Sequence, residues 1–383
     1  MRVKAPWFRR YLLPGLVFQS AVIAGGYGTG RENVEFFLSI GPTPGLAAMA
    51  LSVVIWSAVC AVTFELARRF RSYEYRNFFK RLLGPAWGLF ELTYVLLTLL
   101  VLAVIGAAAG SIADETFGIP YAVGVIVALG SVALLLFYGS TTIERFFAGW
   151  SVALYAVYAA MVVWSLTRFG SSLGESFAAS PLEGSWIVNG IQYGGYNLSA
   201  AVVALFTVRH IQTRKEAVSA GLLAGVIGMV PAFLFYLAMV PHYPQIVAET
   251  VPSNFILEAL GSRTFQIAFQ VILFGTLIET GTGMIHAVNE RAAATWREKG
   301  VVMPSWARPA VAAVFLGVAL SLTPLGLIGL IRQGYGTITW GFILFYVLPV
   351  LTFGVWLAFR KPGGPGPSGA PQPPAMPGGG DGS

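Results

Sequence analysis

The stretch that decides the fold runs from Ala21 to Asn33 and reads Ala-Val-Ile-Ala-Gly-Gly-Tyr-Gly-Thr-Gly-Arg-Glu-Asn, within an apolar run over about residues 11–40. Each glycine inside a helix costs roughly 1 kcal/mol relative to alanine. The cluster therefore predicts an interruption of the helix at Gly25, Gly26, Gly28 and Gly30. Arg31 and Glu32 add two ionisable groups. Charges and unwound backbone at membrane depth are tolerated only against protein or a water-filled cavity, so this stretch is the predicted functional site.

The composition explains why the run is interpreted as a membrane helix. Hydrophobic residues make up 56% of the 383 positions and charged residues only 11%, whereas soluble domains carry about 25% charged residues. We therefore predict an all-α, multi-pass membrane protein. The single cysteine, Cys60, excludes an intrachain disulfide. The net charge of +7 is explained by the positions of the basic residues and not by nucleic-acid binding.

Ten apolar stretches approach the ~20 residues that a membrane helix needs. They are predicted at residues 11–40, 45–67, 86–112, 119–138, 146–168, 185–208, 217–240, 263–290, 309–330 and 337–359. With the N-terminus inside, all of the 24 Lys and Arg residues lie at cytoplasmic ends except Arg31, Arg168, Arg263 and Arg332. This asymmetry predicts a protein of the cell (inner or plasma) membrane with both termini in the cytoplasm.

A second glycine pair lies in the sixth span, which reads Ile-Gln-Tyr-Gly-Gly-Tyr-Asn-Leu-Ser over residues 191–199. Gly25 follows Arg10 by 15 residues and Gly195 precedes Arg209 by 14. At 1.5 Å per residue, both pairs lie about 21–23 Å from a cytoplasmic arginine. Paired interrupted helices in two inverted halves indicate a transporter site at the membrane midplane. The alternative is that these glycines merely permit close helix packing.

The two glycine pairs also define the predicted domain organisation. Five spans precede the sixth and five start from it, so the second half is inverted relative to the first. We predict one ten-span domain over residues 1–361, with inverted repeats at about 11–168 and 185–359 and interrupted helices 1 and 6. Residues 362–383 are rich in proline and glycine, which predicts a disordered cytoplasmic tail.

The interrupted helices predict what kind of solute binds. A break exposes N–H groups at one half-helix end and carbonyls at the other. The N–H groups suit a carboxylate, so we predict a small zwitterionic or carboxylate-bearing solute. The predicted binding residues are Gly25, Gly26, Tyr27, Gly28, Thr29, Gly30, Tyr193, Gly194, Gly195, Tyr196 and Asn197. The aromatic residues among them would also suit a cationic or quaternary amine through cation–π contact.

The eighth span carries a third polar group at depth. Glu279 precedes Arg291 by 12 residues, or about 18 Å along a helix. A buried glutamate in a membrane is protonated, paired or on an ion path. Candidate partners are Arg31, a sodium ion or a transported proton, and a neutral glutamate bonded to a neighbouring helix is the structural alternative. Arg31, Glu32 and Glu279 are the predicted gating and coupling residues.

The motif from Gly25 to Glu32, followed by two phenylalanines, resembles the first helix of YkvI-like membrane proteins. These are proposed amino acid permeases of the amino acid–polyamine–organocation superfamily. With the ten-span layout and the second Gly-Gly-Tyr, the resemblance extends over about residues 11–360. It implies a LeuT-like five-plus-five inverted repeat and alternating access, with solute between spans 1, 3, 6 and 8. Arg31 resembles the arginine of the outer gate in such transporters.

The resemblance also implies a coupling-ion site. In LeuT-like sodium symporters one ion lies between the broken first helix and the eighth. The matching groups would be main-chain carbonyls around Ala21 and Ala24, with Thr280 or Thr282. Some relatives place a basic side chain on the fifth span instead, and span 5 has no lysine, which favours sodium. Glu279, next to the threonines, keeps proton coupling open.

The predicted function is secondary active transport of a small solute, an amino acid first, coupled to a Na⁺ or H⁺ gradient. Alternatives are a carrier of organic cations or quaternary amines, and an ion channel. The channel is suggested by Gly26-Tyr-Gly28 and Gly334-Tyr-Gly336, but a potassium filter needs several equivalent loops. The sequence lacks a Ser/His pair, a zinc motif and paired aspartates, so we predict no enzyme. The expected partners are the solute and the lipid bilayer, with no nucleic acid and no cofactor beyond a coupling Na⁺; the sequence carries no signal for oligomeric state.

Overall fold

The structure, a computed structural model, describes residues 6–23, 25–138, 140–298 and 300–359. Within them it describes the side chains except at 25–26, 137–138, 140–149, 151, 298 and 359. Every regular element in these ranges is a helix. The tail predicted over residues 362–383 lies outside the described residues.

The helices are numbered in chain order. They are α1 (Trp7–Tyr11), α2 (Leu13–Val22), α3 (Arg31–Phe36), α4 (Pro42–Phe70), α5 (Tyr75–Leu83), α6 (Trp87–Phe117), α7 (Tyr121–Tyr138), α8 (Ser140–Phe169), α9 (Leu173–Ala178), α10 (Trp186–Asn197), α11 (Ser199–Ala204), α12 (Arg214–Met239), α13 (Pro252–Leu260), α14 (Arg263–Glu298), α15 (Ala307–Leu322), α16 (Gly326–Gly329), α17 (Gly336–Phe342) and α18 (Val355–Phe359). Three π-helical segments lie between α16 and α18, at Leu330–Tyr335, Ile343–Val347 and Val350–Gly354.

Six stretches of the described chain are long and apolar enough to cross a membrane. They are Pro42–Phe70, Tyr75–Phe117, Val152–Ala178, Arg214–His242, Arg263–Arg297 and Ala307–Ala358. Leu13–Val22 and Tyr121–Leu136 are shorter apolar helices. The prediction of an all-helical membrane protein is confirmed. The count of ten spans stays a prediction, because the first, fourth and sixth predicted spans consist of shorter helices and the ninth and tenth form one stretch, Ala307–Ala358.

Two elements near the predicted cytoplasmic side differ from the sequence-based boundaries. α5 is an additional amphipathic helix that buries Phe78 and Phe79 and exposes Lys80. α14 continues to Glu298, whereas the sequence predicted the end of that span near residue 290. The longer helix keeps Arg291 on the same rigid element as Glu279.

Close packing of α4 against α12 and α10 forms the centre of the fold. Gly221 of α12 lies against the backbone of Ala61 in α4. The Trp56 indole N–H donates to the Gly194 carbonyl of α10 at 3.0 Å. Trp56 also contacts Phe18 of α2, with their ring centroids 5.2 Å apart. These contacts hold the first and sixth predicted spans against one rigid helix.

Candidate functional site

The first predicted span is interrupted where its glycines lie. α2 ends at Val22, Gly25–Thr29 forms a 3₁₀ turn, and α3 begins at Arg31. Gly30 has φ +83°, a left-handed conformation that costs other residues about 1–2 kcal/mol. A Cβ at Gly30 would also lie 2.8 Å from the Phe235 ring of α12. The predicted interruption of helix 1 is confirmed.

The predicted interruption of the sixth span lies three residues beyond Gly195, at Leu198, and not at the glycine pair itself. α10 runs through both glycines from Trp186 to Asn197, and only Leu198 separates it from α11. A Cβ at Gly195 would lie 2.8 Å from the Thr339 methyl group of α17. Neighbouring helices approach where the glycines have no side chain, and this contact offsets their poor helix propensity. The pair therefore permits close packing, which was the alternative interpretation.

A short hydrogen bond joins the first and sixth spans. The Tyr196 hydroxyl donates to Glu32 Oε2 at 2.5 Å, and the two residues are only 4% and 3% exposed. The Tyr196 ring stacks on Tyr335, with centroids 4.6 Å apart. Glu32 lies in the first turn of α3, where the helix dipole favours a negative group. A carboxyl group of the chain itself thus lies in the first turn of the helix that follows the break.

A cavity of about 680 Å³ lies beside this hydrogen bond. Glu32 of the first span and Glu279 of the eighth span both line it. The lining continues from Glu279 along α14 to Arg291, towards the predicted cytoplasmic side. Its volume lies in the range of ~300–1,000 Å³ that is typical of small-molecule sites. The cavity can hold a small organic solute.

Arg31 binds a loop on the predicted outer side of the interrupted helix. Its Nη1 donates to the carbonyls of Val247 and Glu249 at 2.8 and 2.9 Å, and its Nη2 to Glu35 at 2.8 Å. Both carbonyls belong to the loop that precedes α13, on the predicted outer side. Arg31 is only 4% exposed. It therefore fastens an outer loop over the interrupted helix, while the cavity extends towards the predicted inner side.

Some predicted binding residues line the cavity, and others do not. Tyr196 and Asn197 are part of the lining. Tyr27 stacks instead on Tyr158, with centroids 6.4 Å apart. Tyr193 is fully buried and its ring centroid lies 5.5 Å from that of Trp56 and 4.5 Å from that of Phe37. Neither tyrosine belongs to the cavity lining of the described conformation, and their contact with the solute stays a prediction.

The predicted glycines contribute backbone conformation and close approach. Gly28 lies against Leu273 of α14. Thr29 is fully buried, and its hydroxyl oxygen accepts the Arg31 backbone N–H at 3.2 Å. For Gly25 and Gly26 the structure describes the backbone of the 3₁₀ turn. Gly28, Thr29 and Gly30 do not belong to the cavity lining, and their contact with the solute stays a prediction.

Only some of the residues predicted for a coupling ion line the cavity. Ala21, Thr280 and Glu279 all line the cavity, so the first and eighth spans meet there. The Thr282 hydroxyl donates to the Ile278 carbonyl at 2.8 Å within its own helix. Ala24 lies outside the described residues. The described chain contains no group of three or more His, Cys, Asp or Glu residues that could hold a metal ion, and the sodium site stays a prediction.

Sequence reasoning missed Tyr155, Tyr335 and Arg291, which also line the cavity. A signal for the arginine was present. Cavity residues of α14 repeat every four positions at Glu279, Gly283, Ala287 and Arg291, a spacing that keeps them close to one helical face. Tyr155 lies in an apolar helix, where nothing in the local sequence distinguishes a cavity residue from a core residue. Tyr335 belongs to Gly334-Tyr-Gly336, whose sequence suggested only a channel motif.

Comparison with known proteins supports the resemblance found in the sequence. No family model matches the chain. The chain is similar to the uncharacterized membrane protein YkvI of Bacillus subtilis (strain 168), with 23% identity over 278 residues. The alignment covers 72% of this chain and 79% of YkvI. The predicted likeness to YkvI-like membrane proteins is confirmed.

Three solved transporters share the fold. MhsT in complex with L-phenylalanine is 14% identical with a TM-score of 0.57, over 93% of this chain and 98% of MhsT. MHP1, a nucleobase-cation-symport-1 family transporter, is 17% identical with a TM-score of 0.54, over 86% and 74%. A manganese transporter of Eremococcus coleocola, in complex with an aromatic bis-isothiourea compound, is 15% identical with a TM-score of 0.52, over 93% and 86%. The chain has the fold of LeuT-type membrane transporters, which are not enzymes.

Proposed function

We propose that the chain is a secondary active transporter that moves a small solute with a protonated amine, an amino acid first among the candidates. It works by alternating access in the cell membrane, with both termini in the cytoplasm. One ten-span domain over residues 1–361 carries two inverted repeats, at about 11–168 and 185–359. The shared fold with three solved transporters supports this architecture.

The observation that carries the proposal is the buried carboxyl group of Glu32 on the cavity wall. Tyr196 and Tyr335 line the cavity beside it, and Tyr155 belongs to the same lining. A carboxylate accepts strong, charge-assisted hydrogen bonds from an ammonium group. Aromatic rings attract the same cation through their electron-rich faces. Because a charge at membrane depth needs a partner, a protonated amine is the complementary solute group.

Organic cations and quaternary amines form the second candidate class. Glu32 and Glu279 give the cavity two carboxyl groups against the one guanidinium of Arg291, which favours a solute with net positive charge. Four tyrosines of the described lining, Tyr94, Tyr155, Tyr196 and Tyr335, would surround it. Comparison of each amino acid with its decarboxylated amine therefore separates the two classes.

The proposed cycle takes the described conformation as its inward-facing step. Arg31 holds the outer loop in place, and the cavity extends from Glu32 towards Arg291. Opening on the outer side then requires Arg31 to release the carbonyls of Val247 and Glu249. The coupling cation is either Na⁺, near the Ala21 carbonyl and Thr280, or a proton carried by Glu279.

Currents from reconstituted protein on a solid-supported membrane test the solute class. The twenty L-amino acids, their decarboxylated amines and their deaminated acids are applied to wild type, Glu32→Gln and Glu175→Gln. Glu175 is an exposed carboxylate of α9 and serves as the matched control. We expect currents from amine-bearing compounds that vanish in Glu32→Gln and persist in Glu175→Gln. Equal currents in both variants, or responses to deaminated acids alone, would refute the proposal.

The coupling ion is tested separately in the same liposomes. If the current follows a pH gradient and disappears in Glu279→Gln, a proton is transported. If it follows a sodium gradient and disappears in Thr280→Ala, the sodium prediction holds. Single-channel currents in a planar bilayer would favour the channel alternative over both.

A further inference from the structure

Arg291 lies at the predicted cytoplasmic end of the cavity and is held by two tyrosines. Its Cζ is 4.3 Å from the ring centroid of Tyr94 in α6 and 4.6 Å from that of Tyr75 in α5. The two rings are nearly parallel, with centroids 6.0 Å apart. Cation–π contacts with both rings restrict where the guanidinium can lie. Arg291 is thus a positioned cation on the cavity wall and not a freely moving side chain.

The Arg291 guanidinium retains an unused donor. Its Nη1 is buried and has no hydrogen-bond partner among the described residues. A buried donor without an acceptor costs about 1–3 kcal/mol, and more for a charged group. Arg291 lines the cavity and is partly exposed, so a group entering the cavity supplies the acceptor for Nη1 once the guanidinium turns towards it. A carboxylate matches the planar fork of a guanidinium by accepting two parallel N–H bonds.

A cytoplasmic arginine at the end of a membrane helix ordinarily extends to the lipid headgroups. Arg297 is such a residue, because it is exposed one and a half turns further along α14. Arg291 instead turns inward over Tyr75 and Tyr94. Glu91 lies nearby, but its Oε1 accepts the Tyr75 hydroxyl at 3.0 Å. Glu91 thereby holds the tyrosine that supports the guanidinium.

We propose that Arg291, supported by Tyr94 and Tyr75, forms a carboxylate-binding subsite through which the solute passes at the cytoplasmic end of the cavity. Arg291 lies 12 residues beyond Glu279 on one continuous helix, or about 18 Å. A small solute therefore contacts the acidic midplane site and the arginine in sequence. The subsite favours amphoteric solutes, such as amino acids, over simple amines during exchange with the cytoplasm. It rests on the proposed function only in taking the cavity as the solute path.

Benzoate is the probe for the subsite, because it has a carboxylate and a ring but no amine. Thermal unfolding of the purified full-length protein is followed in sodium benzoate, with sodium chloride at equal ionic strength as the reference. The variants are Arg291→Gln, Arg291→Lys and, as a control that removes the same charge from the same helix, Arg297→Gln. We expect at least tenfold weaker benzoate binding in Arg291→Gln and unchanged binding in Arg297→Gln. Arg291→Lys should be intermediate, because it keeps the charge and loses the fork.

Equal benzoate affinity in Arg291→Gln and Arg297→Gln, or no binding to wild type, overturns the proposal. If Arg291→Gln does not fold, Val288→Cys supplies a second readout, because Val288 lies on the cavity wall one turn before Arg291. Benzoate should then slow maleimide labelling of this cysteine in the protein that retains Arg291, and unslowed labelling counts against the subsite. Benzoate binding needs no transport. Benzoate binding without amine-driven currents would thus contradict the proposed function alone, and the reverse would contradict the subsite alone.

Discussion

Arg31→Lys should open the outer side of the protein. The guanidinium makes three hydrogen bonds at 2.8–2.9 Å, to two loop carbonyls and to Glu35. The lysine ammonium keeps the charge, but from one nitrogen it cannot reach all three acceptors in this geometry. Hydrogen bonds to charged groups contribute roughly 1.5–3 kcal/mol each. Loss of one such bond shifts the equilibrium towards the outer-open form by roughly 10- to 100-fold.

The assay follows the reactivity of a cysteine under the outer loop. Ser253 of α13 is fully buried, and its hydroxyl has no partner among the described residues, so Ser253→Cys is a mild change. The native Cys60 is also fully buried and gives little background. A membrane-impermeant maleimide labels the reporter from outside only while the loop is open. We expect Arg31→Lys to raise the labelling rate about as much as the open population rises.

Arg332→Lys is the matched control. Arg332 Nε lies 3.3 Å from Glu35, but its side chain is 74% exposed, and exposed ion pairs contribute little. Arg332→Lys should leave the maleimide labelling rate of the Ser253→Cys protein unchanged. An unchanged rate in Arg31→Lys, or an equal rise in both variants, would refute the assignment of Arg31 as the fastening of the outer loop.

Two further comparisons test the packing around the site. Tyr196→Phe should lower the unfolding free energy by about 1.5–3 kcal/mol, since it leaves the buried Glu32 oxygen without its donor. Tyr193→Phe should have little effect, because the Tyr193 hydroxyl has no partner among the described residues. Gly195→Ala should lower the unfolding free energy by about 1–3 kcal/mol through overpacking. Gly194→Ala should have little effect, because the nearest atom to the new Cβ lies at an ordinary 3.4 Å. Thermal unfolding measures both pairs, and equal midpoints within either pair would contradict the contacts described.

The interruption of the first span could be predicted from the sequence because its cause is local. Clustered glycines weaken the helix wherever they lie, and Gly30 takes a backbone conformation that other residues adopt only at a cost. Arg31 and Glu32 follow directly, and Glu32 lies on the cavity lining. The partners of Arg31 could not be predicted, because two of them are backbone carbonyls more than 200 residues away.

The sixth span shows where local reasoning fails. Gly194 and Gly195 have the same composition as the first glycine pair, yet α10 runs straight through them. The difference comes from tertiary packing against Ile55 of α4 and Thr339 of α17, which depends on helix register that the sequence does not display. Tyr193 lies outside the cavity lining for the same reason. A helix reveals which residues share a face, but it does not reveal which face meets the cavity.

The most direct test of the central claim is protection of the cavity wall by solute. Ser199 lines the cavity, so Ser199→Cys places a reactive thiol there with minimal change in size. Maleimide labelling is measured with and without an equimolar mixture of the nineteen L-amino acids other than cysteine, whose thiol would consume the maleimide, in proteins that carry Glu32 or Glu32→Gln. We predict that the mixture slows labelling when Glu32 is present and has no effect in Glu32→Gln. Labelling that ignores the mixture in both proteins, or protection that survives Glu32→Gln, would contradict a solute site built around Glu32.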